Sequence, residues 1–283
     1  MKLATIRRDG DTVAVRVDGV ETGAEGIVEI AGFADVGALL QEVDWRTIAS
    51  SAGGRFLPIA DIPSDAWAPV VLEPRKIVCV GVNYRAHIQE MGREEPDFPT
   101  LFTKYPESLI GAGDPIVLPP HASEMVDWEA ELAIVIGTRV RRADEQEAAA
   151  AIAGYTVLND VSMRDWQNRT LQWLQGKSFE GTTPVGPVLA TTDEVPASAR
   201  ITTEVDGELL QEGRIDDLVF GPAAIVAYIS QIFPLDPGDI IATGTPGGVG
   251  HARKPPRYLA EGQTVVTTIE GIGSLRNTVV GGA

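Results

Sequence analysis

The chain has 283 residues, 44% hydrophobic and 22% charged, with 30 Gly and 19 Pro scattered along it, which excludes disorder, collagen and coiled coil and leaves room for one large or two modest domains. The 40 acidic against 23 basic residues give a net charge of −17, arguing against nucleic acid as a partner, because affinity there rests on neutralising phosphates. No apolar run approaches the roughly eighteen residues of a membrane span, the opening Met1-Lys2-Leu3-Ala4-Thr5-Ile6 lacks a signal peptide's apolar stretch, and the single Cys79 excludes a disulfide framework or Cys-based zinc site, so the expected setting is the cytoplasm.

In chain order, alternating polarity predicts strands over 12–17 and 26–30, and a helical pattern follows near 34–43. Together these suggest a small N-terminal α+β domain over 1–70. The Pro-marked stretch 57–63, with Pro69 and Pro74 beyond it, reads as a connector to a second domain over 71–283. There strands outnumber helices. Strands are expected at 76–81, 114–118, 128–137, 154–161, 199–205, 238–242, 263–270 and 274–280, and helices at 83–91, 143–153, 162–174 and 222–232. Asp206-Gly207 is a two-residue hairpin turn signal, and Pro222 suits a first helical turn. The fold class is therefore α+β and β-rich. The stretch Gly244-Thr245-Pro246-Gly247-Gly248-Val249-Gly250 lacks the Lys-Ser/Thr of a phosphate loop, and no Gly-x-Gly-x-x-Gly opens a βαβ unit, so a nucleotide cofactor is not supported.

The stretch Asp127-Trp128-Glu129-Ala130-Glu131 leads into a buried-strand sequence, and on a strand Glu129 and Glu131 share a face. In a partly buried place they would repel, and one would take up a proton or attract a cation. The competing reading is a solvated strand face. Asp160, ending a second apolar strand, is either a third carboxylate or the N-cap of a following helix. Three oxygen donors without His or Cys would favour Mg²⁺, then Mn²⁺ or Ca²⁺, over zinc. On a helix His87 and Glu90 stand one turn apart, as a base and its orienting carboxylate or as a surface pair. His121 reads as a loop residue. His251 lies in a basic island, 251–257, that flanks an anionic substrate's entrance or sits in solvent. Lys177 is either exposed or a buried ammonium that requires an anionic partner. Trp166 and Trp173, at helical spacing, read as packing residues.

Asp127-Trp128-Glu129-Ala130-Glu131, Asn159-Asp160-Val161-Ser162 with Arg164-Asp165 and Gln167, Gly176-Lys177-Ser178-Phe179 and Thr243-Gly244-Thr245-Pro246-Gly247-Gly248-Val249-Gly250 resemble, in that order, the motifs of the fumarylacetoacetate hydrolase family. The resemblance runs from about residue 75 to 280 and implies a mixed β-sandwich roll holding one divalent metal. It implies that Glu129, Glu131 and Asp160 bind the metal, that Lys177 is the active-site lysine, that Gln167 contacts substrate, and that Gly244 and Thr245 form the oxyanion or carboxylate loop. His87 and Glu90 match the His-Glu pair of the hydrolytic members. Glu180, where Asp is common, and the following Gly181-Thr182-Thr183 depart from the pattern and bear on the pocket's shape. The implied activity is hydrolysis of a carbon–carbon bond in a β-diketo acid of the acylpyruvate or fumarylpyruvate type, through a metal-stabilised pyruvate enolate. The same site would suit an oxaloacetate decarboxylase or a hydroxymuconate-type isomerase, and a metal-binding protein without turnover is the remaining alternative. The implied partner is a small 2-oxo or diketo acid, with a homodimer as the assembly.

Overall fold

The strand Ala130–Ile136 is buried along its whole length and organises the fold, which is described here from a computed structural model covering residues 1–19, 25–90, 92, 94–122 and 124–282, Glu90 by its backbone alone. It pairs antiparallel with Ile152–Asn159 on one side and Ile240–Ala242 on the other. Beyond Ile240–Ala242 lies Ile77–Gly81, in parallel, and then Thr100–Lys104. Beyond Ile152–Asn159 lies Thr183–Thr191, which the first strand, Lys2–Arg8, joins through Lys2 opposite Ala190 and Leu3 opposite Leu189. The strands Asp11–Asp18, Gly26–Glu29 and Phe56–Pro58 extend the same sheet, so the first seventy residues continue the hydrogen-bonded ladder of the rest.

Alternation along the central strand assigns its two faces. Ala130 and Leu132 pack against Ile201, Ile269 and Leu275 of a second, five-stranded sheet, forming the sandwich. Farther along the same face, Ile134 and Ile136 meet the helices Glu145–Ala151 and Pro222–Ile232. Ala133 and Val135, on the opposite face, pack with Leu39, Leu40 and Trp45 from the N-terminal helices. Both long helices have sequence-encoded starts. Asp144 accepts from Glu147 N (2.8 Å) while the Glu147 carboxylate accepts from Asp144 N (3.1 Å), a reciprocal cap, and Pro222 occupies the first turn of its helix. The β-rich α+β sandwich follows the sequence expectation. So does the hairpin Arg200–Val205 to Glu208–Arg214, whose turn residues Asp206 and Gly207 both have positive φ (53° and 81°).

Several elements differ from expectation: the strands Lys2–Arg8 and Thr100–Lys104 and the helix Trp45–Ser51 have no predicted counterpart. The helix expected at 162–174 is instead a short strand, Ser162–Met163, a single turn, Arg164–Gln167, and a separate turn, Leu174–Lys177. A Cβ on Gly176 would collide with the backbone of Gln167, so the second turn folds back onto the first rather than extending it. The strand Thr183–Thr191 has no counterpart among the predicted elements, because Pro184 and Pro187 read against a central strand; the ladder absorbs them with a register shift between Tyr155 and Val157.

Leu275, fully buried between the two sheets, should be a pure packing residue. Leu275→Ala is expected to cost about 2–5 kcal/mol in urea unfolding, and a loss well under 1 kcal/mol would contradict the sandwich interface.

Candidate active site

The pairing of two neighbouring strands assembles the site. Ala130 lies opposite Asn159, so Glu129 and Glu131 flank the point where the partner strand ends and Asp160 begins. Two further bonds lock this corner: Asp160 N donates to Glu129 O (2.8 Å), and Glu129 N donates to Asn159 Oδ1 (2.9 Å). One carboxylate oxygen from each of Glu129, Glu131 and Asp160 then falls within 4.8 Å of the others, and all three residues are buried. Asp160 does not cap a helix; the following turn has Met163 at its N-cap.

Cations ring this cluster. Lys177 Nζ donates to Glu129 Oε2 and Asp160 Oδ2, both at 2.8 Å. Lys104 Nζ reaches the other oxygen of Asp160 at 2.6 Å. Arg164 bridges Glu129 Oε1 and Asp127 Oδ2, each at 2.7 Å, and donates to Gln167 Oε1 at 2.9 Å. The backbone N–H of Gly244 donates to Glu131 Oε2 at 2.8 Å. Gly244 has φ 101°, a conformation that a side chain would strain.

These contacts set the charge states. Glu131 is pushed well above the usual carboxylate range, first by burial and then by Asp160 and Glu129 beside it. Burial also works against the Asp160 carboxylate, but Lys104 and Lys177 outweigh it and hold its pKa below the usual value. For Lys177 burial disfavours the ammonium, yet Asp160 and Glu129 raise its pKa overall, so it stays charged. The same balance, with Glu129 and Asp127 as partners, raises Arg164. An all-oxygen donor set with one carboxyl reluctant to ionise is the chemistry a hard divalent cation fits.

Above the cluster opens a cavity of about 330 Å³. His87 lines it, from the helix Arg85–Glu90, whose base is tied down by Asn83 donating to Thr243 O (2.8 Å) and Phe220 O (3.1 Å). The Glu90 side chain, expected to orient His87, lies outside the described residues. Gln167, Gly244, Thr245 and Lys177 also line the cavity. Thr245 is positioned by Gln211, whose Nε2 donates to its Oγ1 at 2.8 Å. One wall is aromatic: Trp173 and Phe102 stack edge to face at 5.4 Å, and Trp173 lies so close over Gly81 that a Cβ there would collide with its ring.

Several residues of this site carried no assigned role in the sequence reading. Arg164 stood in a quoted motif, and its i,i+3 relation to Gln167 was the available signal. Lys104 comes from a strand at the sheet edge with no local cue. Asp127 is buried and accepts from Gly250 N (2.7 Å) and His251 N (3.0 Å), bringing the 250–252 turn to the cavity rim, so His251 lines the cavity although it is exposed. His121 packs on Trp166 and Phe179.

The model of the fumarylacetoacetate (FAA) hydrolase C-terminal family matches residues 76–280. The chain is 42% identical over 238 residues to the human mitochondrial oxaloacetate tautomerase FAHD2A, covering 83% of this chain and 76% of the relative. It superposes on 5-carboxymethyl-2-hydroxymuconate delta-isomerase from Mycobacterium smegmatis with TM-score 0.81 and 35% identity over 100% of each chain. It is also similar, at TM-score 0.80 and 28% identity over 100% of each chain, to maleylpyruvate hydrolase from Sphingobium sp. SYK-6 in complex with manganese(II) and pyruvate.

Because folding raises the Glu131 pKa, the cation-free folded protein keeps a proton that the unfolded chain releases. Stability from this carboxyl is fully present below the ordinary carboxylate range and is lost as pH rises toward the raised value, by up to about 1.4 kcal/mol per pH unit. Urea unfolding in EDTA should therefore show wild type weakening relative to Glu131→Gln as pH rises across that window. A difference independent of pH would contradict the crowded-carboxylate description.

Proposed function

The chain belongs to the fumarylacetoacetate hydrolase family, and from that premise we propose that it is a divalent-metal enzyme that acts on a 2-oxo acid through its enolate, interconverting the enol and keto forms of an oxaloacetate-like diacid. The observation that carries this reading is the cluster of three carboxylates within 4.8 Å, ringed by Lys177 and Arg164, on the floor of a cavity that His87 also lines. Glu129, Glu131 and Asp160 would hold the cation, with Mg²⁺ first, Mn²⁺ close behind and Ca²⁺ third for an all-oxygen donor set. When bound, such a cation supplies Lewis-acid polarisation of a 2-oxo group and its neighbouring carboxylate.

The side chains divide the remaining work. Lys177 and Arg164 are held as cations by the carboxylates beside them, so they serve as fixed positive charge where an enolate oxygen and a substrate carboxylate gather. Proton movement falls to an imidazole. His87 takes the proton from the enol oxygen as the double bond shifts and delivers it to C3, so the exchange balances without a co-reactant and leaves the imidazole as it began. Gln167 and Thr245 face the same cavity and would orient the acid. Trp173 and Phe102 wall off one side and limit water.

Hydrolysis of an acylpyruvate is the second reading, favoured by the placement of His87 in the cavity, since the same imidazole could deprotonate an attacking water. Decarboxylation of oxaloacetate would use the same charges without that water. A cytoplasmic homodimer completes the proposal; sedimentation at the mass of two chains supports the dimer, and a single-chain mass counts against it. Among the described residues no helix is long and apolar enough to cross a membrane.

NMR of the Mg²⁺-loaded protein with enol-oxaloacetate and, separately, an acylpyruvate separates the readings. The expected result is faster enol-to-keto conversion, reduced about 10²- to 10⁴-fold by His87→Ala with metal affinity nearly unchanged. Cleavage of the acylpyruvate to pyruvate and the free acid would move the assignment to hydrolysis, and release of CO₂ from oxaloacetate to decarboxylation. Turnover of neither substrate would leave a metal-binding protein without this chemistry.

A further inference from the structure

The basic island 251–257 is unusual in so acidic a chain, and most of its charge is already committed. Arg253 donates to Leu210 O at 2.6 Å, and Arg257 pairs with Glu208 at 2.6 Å. His251 is the one basic member of the island that lines the cavity.

Its position is fixed by the backbone. Gly250 N and His251 N both donate to Asp127, which is in turn held by Arg164. A Cβ on Gly250 would collide with Arg257 O and crowd Asp127 and Trp128, so the turn is pressed against the site floor. The imidazole is fixed as well. Its Nδ1 lies 2.9 Å from Tyr258 Oη, the ring's one hydrogen bond among the described residues. With Tyr258 donating to Nδ1, the neutral ring carries its proton on Nε2, and the protonated ring carries one there too. The protonated ring makes Nε2 a donor whichever way the Tyr258 bond runs, and the neutral ring does so when Nδ1 accepts from Tyr258, at the mouth of a cavity whose floor takes the 2-oxo acid end of a substrate.

We propose that His251, held by Tyr258, is a specificity-determining residue that selects 2-oxo acids bearing a second carboxylate, by donating from Nε2 to that distal group. The inference rests on the reading that this cavity binds an oxaloacetate-like 2-oxo diacid, and it adds the residue that recognises the distal carboxylate. Loss of a hydrogen bond to a charged group corresponds to roughly tenfold or more in affinity.

The test compares the enols of oxaloacetate, with a charged tail, and phenylpyruvate, with an apolar one, on the Mg²⁺-loaded protein. His251→Leu should lower the ratio of kcat/KM for oxaloacetate over phenylpyruvate roughly tenfold, chiefly through KM for oxaloacetate, and His251→Lys should restore most of it. Tyr258→Phe should lower the ratio less. Equal losses on both substrates, or an unchanged ratio, would overturn the proposal. Calorimetric binding of 2-oxoglutarate against pyruvate reads the same preference without turnover. Retained preference for the diacid in wild type, lost in His251→Leu, supports selection even if neither enol is converted, in which case only the proposed reaction fails. Turnover with no preference in either assay overturns the selection alone.

Discussion

Four carboxylates, Asp127, Glu129, Glu131 and Asp160, share one water-poor corner with three cationic side chains, Lys104, Arg164 and Lys177, leaving one negative charge in excess (four minus three). Burial of unpaired charge is expensive, and breaking a buried pair costs more than forming it gains. Such an arrangement adds little to stability over an apolar core of the same volume. Glu131 is where the excess shows: of the four, it alone has no cationic hydrogen-bond partner among the described residues, only the Gly244 N–H, and its pKa rises accordingly. A divalent cation would absorb that excess and turn a destabilised corner into a binding site.

The architecture serves this corner. The central strand is buried on both faces, so the residues preceding and opening it are held rigidly, and the two-residue spacing of Glu129 and Glu131 becomes a shared direction in space. The neighbouring strand stops where Asp160 is needed, and the Asn159 side chain caps the Glu129 N–H at that point. The second sheet covers the opposite face, which keeps the carboxylates away from the sandwich interior, and Glu129 and Glu131 line the cavity. Asp127 links floor and rim, binding Arg164 on one side and the 250–252 turn on the other. The rim turn is thus tied through one residue to charge placement at the base.

Much of this was legible in the sequence wherever a local rule applied. Strand alternation placed Glu129 and Glu131 on one face, the apolar run ending in Asn159-Asp160 marked a strand terminus, and Asp206-Gly207 specified its own turn. The family resemblance joined these pieces into one site. What stayed hidden depended on contacts distant in sequence. Lys104 reaches Asp160 across 56 positions, and no pattern near either residue announces the pair. The strand Thr183–Thr191 was masked by its prolines, and the 162–174 segment looked helical because its break is imposed by the close approach of Gly176 to Gln167. For His251 the sequence leaves two readings, an anionic substrate's entrance or solvent; the residue is exposed, and its backbone bond to Asp127 places it at the cavity mouth.

A crystal soaked with Mn²⁺ and oxalate, with anomalous diffraction collected near the manganese edge, tests the central claim most directly. The account predicts a single strong anomalous peak per chain among Glu129, Glu131 and Asp160, with Lys177 turned from its carboxylate bridge toward the oxalate. No peak there, with Lys177 still spanning Glu129 and Asp160, would mean that the three acidic groups form a self-contained ion-pair network and not a metal site.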